Sequence, residues 1–350
     1  MLSANLSLAA TVVAVNVVGS TDSVALTAPF PFCKRYLRFT MRRLLTLERY
    51  CLYGHLVAMA FGLAGLLWVV PHPGMLDYLP AGHTMFRWSM AGGGVGYILL
   101  GTMAVALYGY RTLGLKAMLA FAAAAIGVSL SSELLGTSTG FPFGHYSYLN
   151  GLGYKIAGLV PFTIPLSWFY LGLSSYLLAR SGLKATGAQS AQAESSYSWL
   201  RTLGAIFLGS VLLTSWDFVL DPAMSQTDLP FWYWHEPGAF FGMPYQNFAG
   251  WLGTGVVFMS VGLGLWRVLG VGTEPPKSVT VPLIVYVGNF AFATVMSLGA
   301  GFYVPIAMGL ITGLIPAILC WRTANQGNID GDAAPAIDPA VAPPANAALK

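Results

Sequence analysis

TVPLIVYVGNFAFATVMSLGAGFYVPIAMGLITGLIPAILC, residues 280–320, runs without one charged side chain. A bilayer-spanning helix needs about 20 mostly apolar residues. The stretch is therefore long enough for two crossings, at 280–298 and 301–320, parted only by Gly299–Gly301. Working outward, the same criterion places spans near 52–70, 90–109, 113–132, 157–179, 200–220 and 249–268. The expected fold class is all-α, a polytopic transmembrane helical bundle of about eight helices. If 301–320 is re-entrant, seven remain.

Composition agrees and removes other classes. Of 350 residues, 56% are hydrophobic and 9% charged, and the mean hydropathy is +0.65; a soluble domain carries roughly 25% charged residues. The formal charge of +4 comes from 17 basic and 13 acidic residues, too sparse for a nucleic-acid footprint. Cys33, Cys51 and Cys320 are odd in number and far apart, which excludes a disulfide framework. No CxxC or His/Cys cluster suggests a metal. GGGVG (92–96) and GLITG (309–313) have the small-residue spacing of helix-packing surfaces.

Lys and Arg set the orientation. Fifteen of the 17 fall on one side of the eight spans, and only Arg87 and Lys155 fall on the other. The positive-inside rule then puts both termini in the cytoplasm. Three regions are expected: a poorly ordered N-terminal extension with a basic run (1–48), the transmembrane catalytic domain (49–322) and a disordered Ala/Pro/Asp-rich tail (323–350). The apolar residues 6–19 have no basic segment before them, so no secretory leader is expected, and Met41 is an alternative start. Residues 181–198 read as a cytoplasmic linker.

Two outer segments, 131–155 and 215–251, combine carboxylates, a histidine and dense aromatics with Pro/Gly turns. Glu133 lies at the outer end of the third span. Asp217 falls about one turn, roughly 6 Å, inside the end of the fifth, and Asp221 follows on the same helical stripe before Pro222, which is expected to stop the helix. Carboxylates near hydrocarbon are expensive and mark function or a paired interior contact; the alternative is that Asp217 or Asp221 merely bonds nearby backbone. His145, His235 and Glu236 are acid/base candidates, equally readable as solvated turn residues. Trp232, Tyr233 and Trp234 sit where an interfacial aromatic belt is expected. Trp216, beside Asp217, is the ring best placed to face a developing cation. His55, His72 and His83 stand alone and receive no role.

The strings ELLGTSTGFPFGHYSY (133–148), GYKIAGLVPFTIPLSWF (153–169), WDFVLDPAM (216–224) and GAFFGMPYQNFAGW (238–251) resemble the membrane carotenoid hydratases of the CruF type, which include the bisanhydrobacterioruberin hydratases. The resemblance spans roughly residues 50–320. It implies a cofactor-independent hydro-lyase that hydrates the terminal C1=C2 bond of an acyclic carotenoid end group, of lycopene or γ-carotene type, giving a tertiary alcohol. The implied partners are an acyclic or monocyclic carotenoid, water, membrane lipid and other carotenoid-pathway enzymes, in the cytoplasmic membrane of a bacterium or archaeon.

Markovnikov hydration begins with protonation at C2 and leaves a tertiary cation at C1 for water to capture. It needs a protonated acid, for which Asp217 is the deepest candidate, and a base to orient water, Asp221 or Glu133. The catalytic set is then Asp217, Asp221, Glu133, His145 and Glu236. Trp216, Phe141, Phe143, Tyr146, Trp232, Trp234, Tyr245 and Asn247 are expected to bind the substrate. Two rivals remain. A Mg²⁺-dependent membrane prenyltransferase would want a second Asp-rich motif beside DFVLD (217–221), and none occurs. A lipid transporter would want an internal repeat, and none is evident.

Overall fold

The protein is described as a computed structural model covering residues 31–185, 198–227, 229–271 and 274–333. Its long helices are α1 (Pro31–Ala64), α2 (Gly82–Leu113), α3 (Leu115–Thr139), α4 (Thr163–Ala185), α5 (Ser198–Ser225), α6 (Tyr245–Val268) and α7 (Thr280–Gly299). The chain then passes through α8 (Tyr303–Gly309) and a π turn (Leu310–Leu314) into α9 (Ile315–Ala333). A π turn (Gly65–Val69) also extends α1, and a 3-10 turn (Pro73–Tyr78) leads to α2. The described residues from Leu44 onward form one compact unit.

The 280–320 stretch holds two helical segments, each long and apolar enough to cross a membrane. Gly301, at φ +78°, turns the chain between α7 and α8, a conformation that costs a residue with a Cβ. Gly309 and Gly313 seat the α8–α9 rod on α5, since a Cβ there would stand 2.2 Å from Val219 and 2.7 Å from Ser215. The packing reading of GLITG holds. In GGGVG it holds for Gly94 alone, whose Cβ would meet the Gly151 carbonyl oxygen at 2.5 Å; at Gly92 and Gly96 it would meet nothing within 4 Å.

Among the described residues seven helices are long and apolar enough to cross a membrane, and α4 is not one of them. Its composition follows from its position. Every residue from Ser167 to Ala179 is buried, because α4 packs against α2, α3, α5, α7 and α9. A helix enclosed by protein needs no lipid-facing side, so it can carry Ser167, Ser174, Ser175 and Ser181 among Trp168, Tyr170 and Tyr176.

Two expected boundaries move. The fourth span starts at Thr163, not 157, because Lys155–Ile156 and Val160–Pro161 pair as β2 and β3 of a small hairpin. Pro222 does not stop α5: it lies inside the last turn, where Gln226 N–H still reaches the Pro222 carbonyl at 3.0 Å and Ser225 Oγ the Asp221 carbonyl at 2.9 Å. Losing one amide near a helix end interrupts little. Helix continues at both ends of the expected catalytic domain, from Pro31 through the basic run and past Arg322 to Ala333. Residues 1–30, 186–197 and 334–350, which include the apolar N-terminal segment, most of the expected linker and most of the expected tail, lie outside the described residues.

Candidate active site

Two short strands decide the site. β1 (Tyr146–Tyr148) and β4 (Trp232–Trp234) pair antiparallel, Tyr146 opposite Trp234 and Tyr148 opposite Trp232. Side chains alternate across a strand, so these four rings share one face and point into the bundle. That face is a row of donors. The Tyr146 hydroxyl donates to Glu133 Oε2, and the Tyr148 hydroxyl donates to the same oxygen at 2.9 Å. Trp232 and Trp234 donate from Nε1 to Asp221 Oδ1, at 3.2 and 3.1 Å. Burial, and then the charge of Glu133, pushes both phenols well above the usual tyrosine value, so they remain donors.

The helices deliver the carboxyl groups. Glu133, on α3, also accepts from Trp168 Nε1 of α4 at 2.9 Å. Asp221, near the end of α5, accepts further from Ser225 Oγ at 3.0 Å and from Asn247 Nδ2 at 3.2 Å. The same Asn247 nitrogen, on the first turn of α6, donates to Asp217 Oδ2 at 2.8 Å. Among the described residues Asp217 Oδ1 has no hydrogen-bond partner, although Asp217 is 1% exposed. Three buried carboxyl groups thus converge, two crowded with donors and one left with a vacant oxygen.

All three line a cavity of about 230 Å³ at one end of the bundle. Its walls are aromatic. Trp168 stacks on Trp251 at 4.0 Å between centroids, and Trp251 meets Trp216 edge to face at 5.9 Å. Phe143 is held between α3 and α6, where a Cβ on Gly136 or Gly250 would stand 2.7 or 2.5 Å from its ring. No Lys or Arg is among the lining residues, and among the described residues no three His, Cys, Asp or Glu are grouped to hold a metal.

Of the residues expected from sequence, Asp217, Asp221, Glu133, Trp216, Phe143, Tyr146, Trp232, Trp234 and Asn247 line this cavity. Four do not. His145, like Ser147, falls on the outward parity of β1; it is exposed and stacks beside His235, which contacts Ser147 Oγ at 2.9 Å. Glu236 is exposed beyond β4. Phe141 is 67% and Tyr245 63% exposed. Sequence reasoning missed Tyr148, Trp168 and Trp251. Tyr148 was findable from the alternation in HYSY; Trp168 and Trp251 carry no local signal beyond standing in the two outer strings.

A family model described as "Carotenoid biosynthesis protein" matches residues 93–316. A bisanhydrobacterioruberin hydratase of Haloarcula japonica is 37% identical over 129 residues, 37% of this chain; the aligned part spans 39% of that relative's length. No solved structure matches the chain.

Proposed function

Because the chain belongs to the carotenoid biosynthesis protein family, we propose that it is a hydro-lyase adding water across the terminal C1=C2 bond of an acyclic carotenoid end group. The observation that carries this reading is the convergence of Asp217, Asp221 and Glu133, bridged and braced by Asn247, Tyr148 and Trp168, at the end of an aromatic cavity. The hydratase activity named for the Haloarcula japonica relative supports it. The absence of a lining cation speaks against a diphosphate substrate.

In the proposed mechanism the proton on the vacant oxygen of Asp217 passes to C2, and the C1=C2 electron pair forms the new C–H bond. The cation left at C1 lies among the faces of Trp216, Phe143 and the Trp168–Trp251 stack, which stabilise positive charge and keep bulk water out. One water adds through oxygen to C1, and its proton goes to Asp221 or Glu133. Asp221 is the better placed to return that proton, since Asn247 bonds both aspartates from one nitrogen. The sum is alkene plus water to tertiary alcohol, with no redox change.

The excess of Lys and Arg on the opposite side supports an outer-face location for the cavity, in the cytoplasmic membrane of a bacterium or archaeon that the resemblance implies, where the polyene stays in lipid and water arrives from the surface. Expression in a bacterium that makes lycopene or γ-carotene tests the reaction. The expected result is a pigment heavier by one water; unchanged pigments, with the protein present in the membrane, would reject it.

A further inference from the structure

α1 and α2 meet at two points, Glu48 with Arg111 and His55 with Gly101. Arg111 grips Glu48 with two hydrogen bonds of 2.9 Å. A Cβ on Gly101 would stand 2.8 Å from the His55 ring. Asn289 Nδ2, which can only donate, lies 3.0 Å from His55 Nε2, so the other ring nitrogen carries the proton and donates to the Tyr97 carbonyl at 2.7 Å.

Beyond His55 each helix contributes lining to the cavity from its outer half, Ala58 to Leu66 on α1 and Ser89 to Ile98 on α2. A Cβ on Gly65 would meet nothing within 4 Å, and one on Gly93 only Ser89 Oγ of its own helix at 3.8 Å. The lining residues that are exposed are Phe61, at 72%, and Ser89, one on each helix. The exposed rim of the cavity thus consists of one residue of α1 and one of α2.

Its volume of about 230 Å³ is below the roughly 300–1,000 Å³ of pockets that enclose a whole drug-sized ligand. A carotenoid whose end reaches the carboxyl groups must leave most of its length outside. We propose that the slot between the outer halves of α1 and α2 is a binding site for the polyene chain, through which the substrate enters from the bilayer. The inference rests on reading the cavity as a carotenoid end-group site. An apolar gap left open would forfeit van der Waals contacts on both walls; a thin, extended hydrocarbon restores them and passes where a β-carbon is missing.

The test uses the full chain in nanodiscs, with Gly65→Leu and Gly93→Leu to fill the slot and Ser89→Phe to obstruct its lip. Leucine is the better helix former and its Cβ meets no wall at these glycines, so helicity and thermal stability should be retained. Binding is read as quenching of tryptophan fluorescence by lycopene, and turnover with both lycopene and a short acyclic isoprenoid bearing the same end group. The expected result is a loss of about tenfold or more in lycopene binding and turnover, with the short substrate affected less than about twofold, because remote binding energy is spent only by the long chain. Unchanged lycopene binding in all three variants overturns the slot, as does an equal loss for both substrates. A wild-type protein that binds lycopene without hydrating it, while the variants do not bind, refutes the reaction and leaves the slot standing. Failure of the wild type to bind lycopene overturns the slot.

Discussion

Asn247 Nδ2 stands 2.8 Å from Asp217 Oδ2, and from that position it also reaches Asp221 at 3.2 Å. One amide thus spans two buried acids a helical turn apart, and it holds Asp217 by one oxygen, in a residue that lines the cavity.

Asp217→Asn keeps the shape and removes the transferable proton. Hydration should fall by roughly 10²–10⁴-fold, the usual worth of a general acid, with the protein still present in the membrane. Pigment analysis by mass, normalised to protein level, checks it. Unaltered hydration removes Asp217 from the mechanism.

Trp232→Phe and Trp234→Phe each delete one indole donor to Asp221 Oδ1 and keep a ring. Either alone should cost about 1 kcal/mol of stability. The double variant should cost more than the sum, because both bonds end on one acceptor. Thermal unfolding of the four proteins forms the cycle, and simple additivity would argue that the two indoles do not act on Asp221 together.

The phenols of Tyr146 and Tyr148 are pushed upward by burial and by Glu133. A group whose folded value is raised lends stability that is complete below its unfolded value, about 10 for tyrosine, and that is lost as pH climbs above it. The wild type should therefore lose thermal stability above about pH 10. Tyr146→Phe/Tyr148→Phe should flatten that alkaline decline while lowering stability at neutral pH. Equal alkaline slopes in both proteins would refute the coupling.

His145→Ala and Glu236→Ala should each change turnover by less than about twofold, since surface groups outside a site rarely matter beyond small effects. Both side chains are exposed and off the cavity. A large loss in turnover with unchanged stability would return them to the site.

Glu48 is 3% exposed and holds Arg111 through both oxygens. Glu48→Ala leaves that guanidinium without its partner, and should lower stability by about 3 kcal/mol, in the range for breaking a buried pair. Glu48→Gln should lose less. Unfolding in detergent distinguishes them.

The membrane class, seven of the eight expected spans and the nomination of Glu133, Asp217 and Asp221 were legible in the linear chain. Those signals are local: the length of an apolar run, the side on which Lys and Arg fall, a carboxylate where hydrocarbon makes it costly. What the chain could not disclose was which neighbour of a nominated residue turns inward. His145 and Tyr146 are adjacent, yet one faces solvent and the other Glu133. That choice belongs to the pairing of Tyr146–Tyr148 with Trp232–Trp234, a contact between segments far apart in sequence. Only when the helices bring those strands together does the two-residue alternation acquire an inside and an outside. The meeting of α1 with α2 at His55 and the cavity lining they share beyond it were equally hidden, because space between helices is a property of two surfaces and is written in neither one alone.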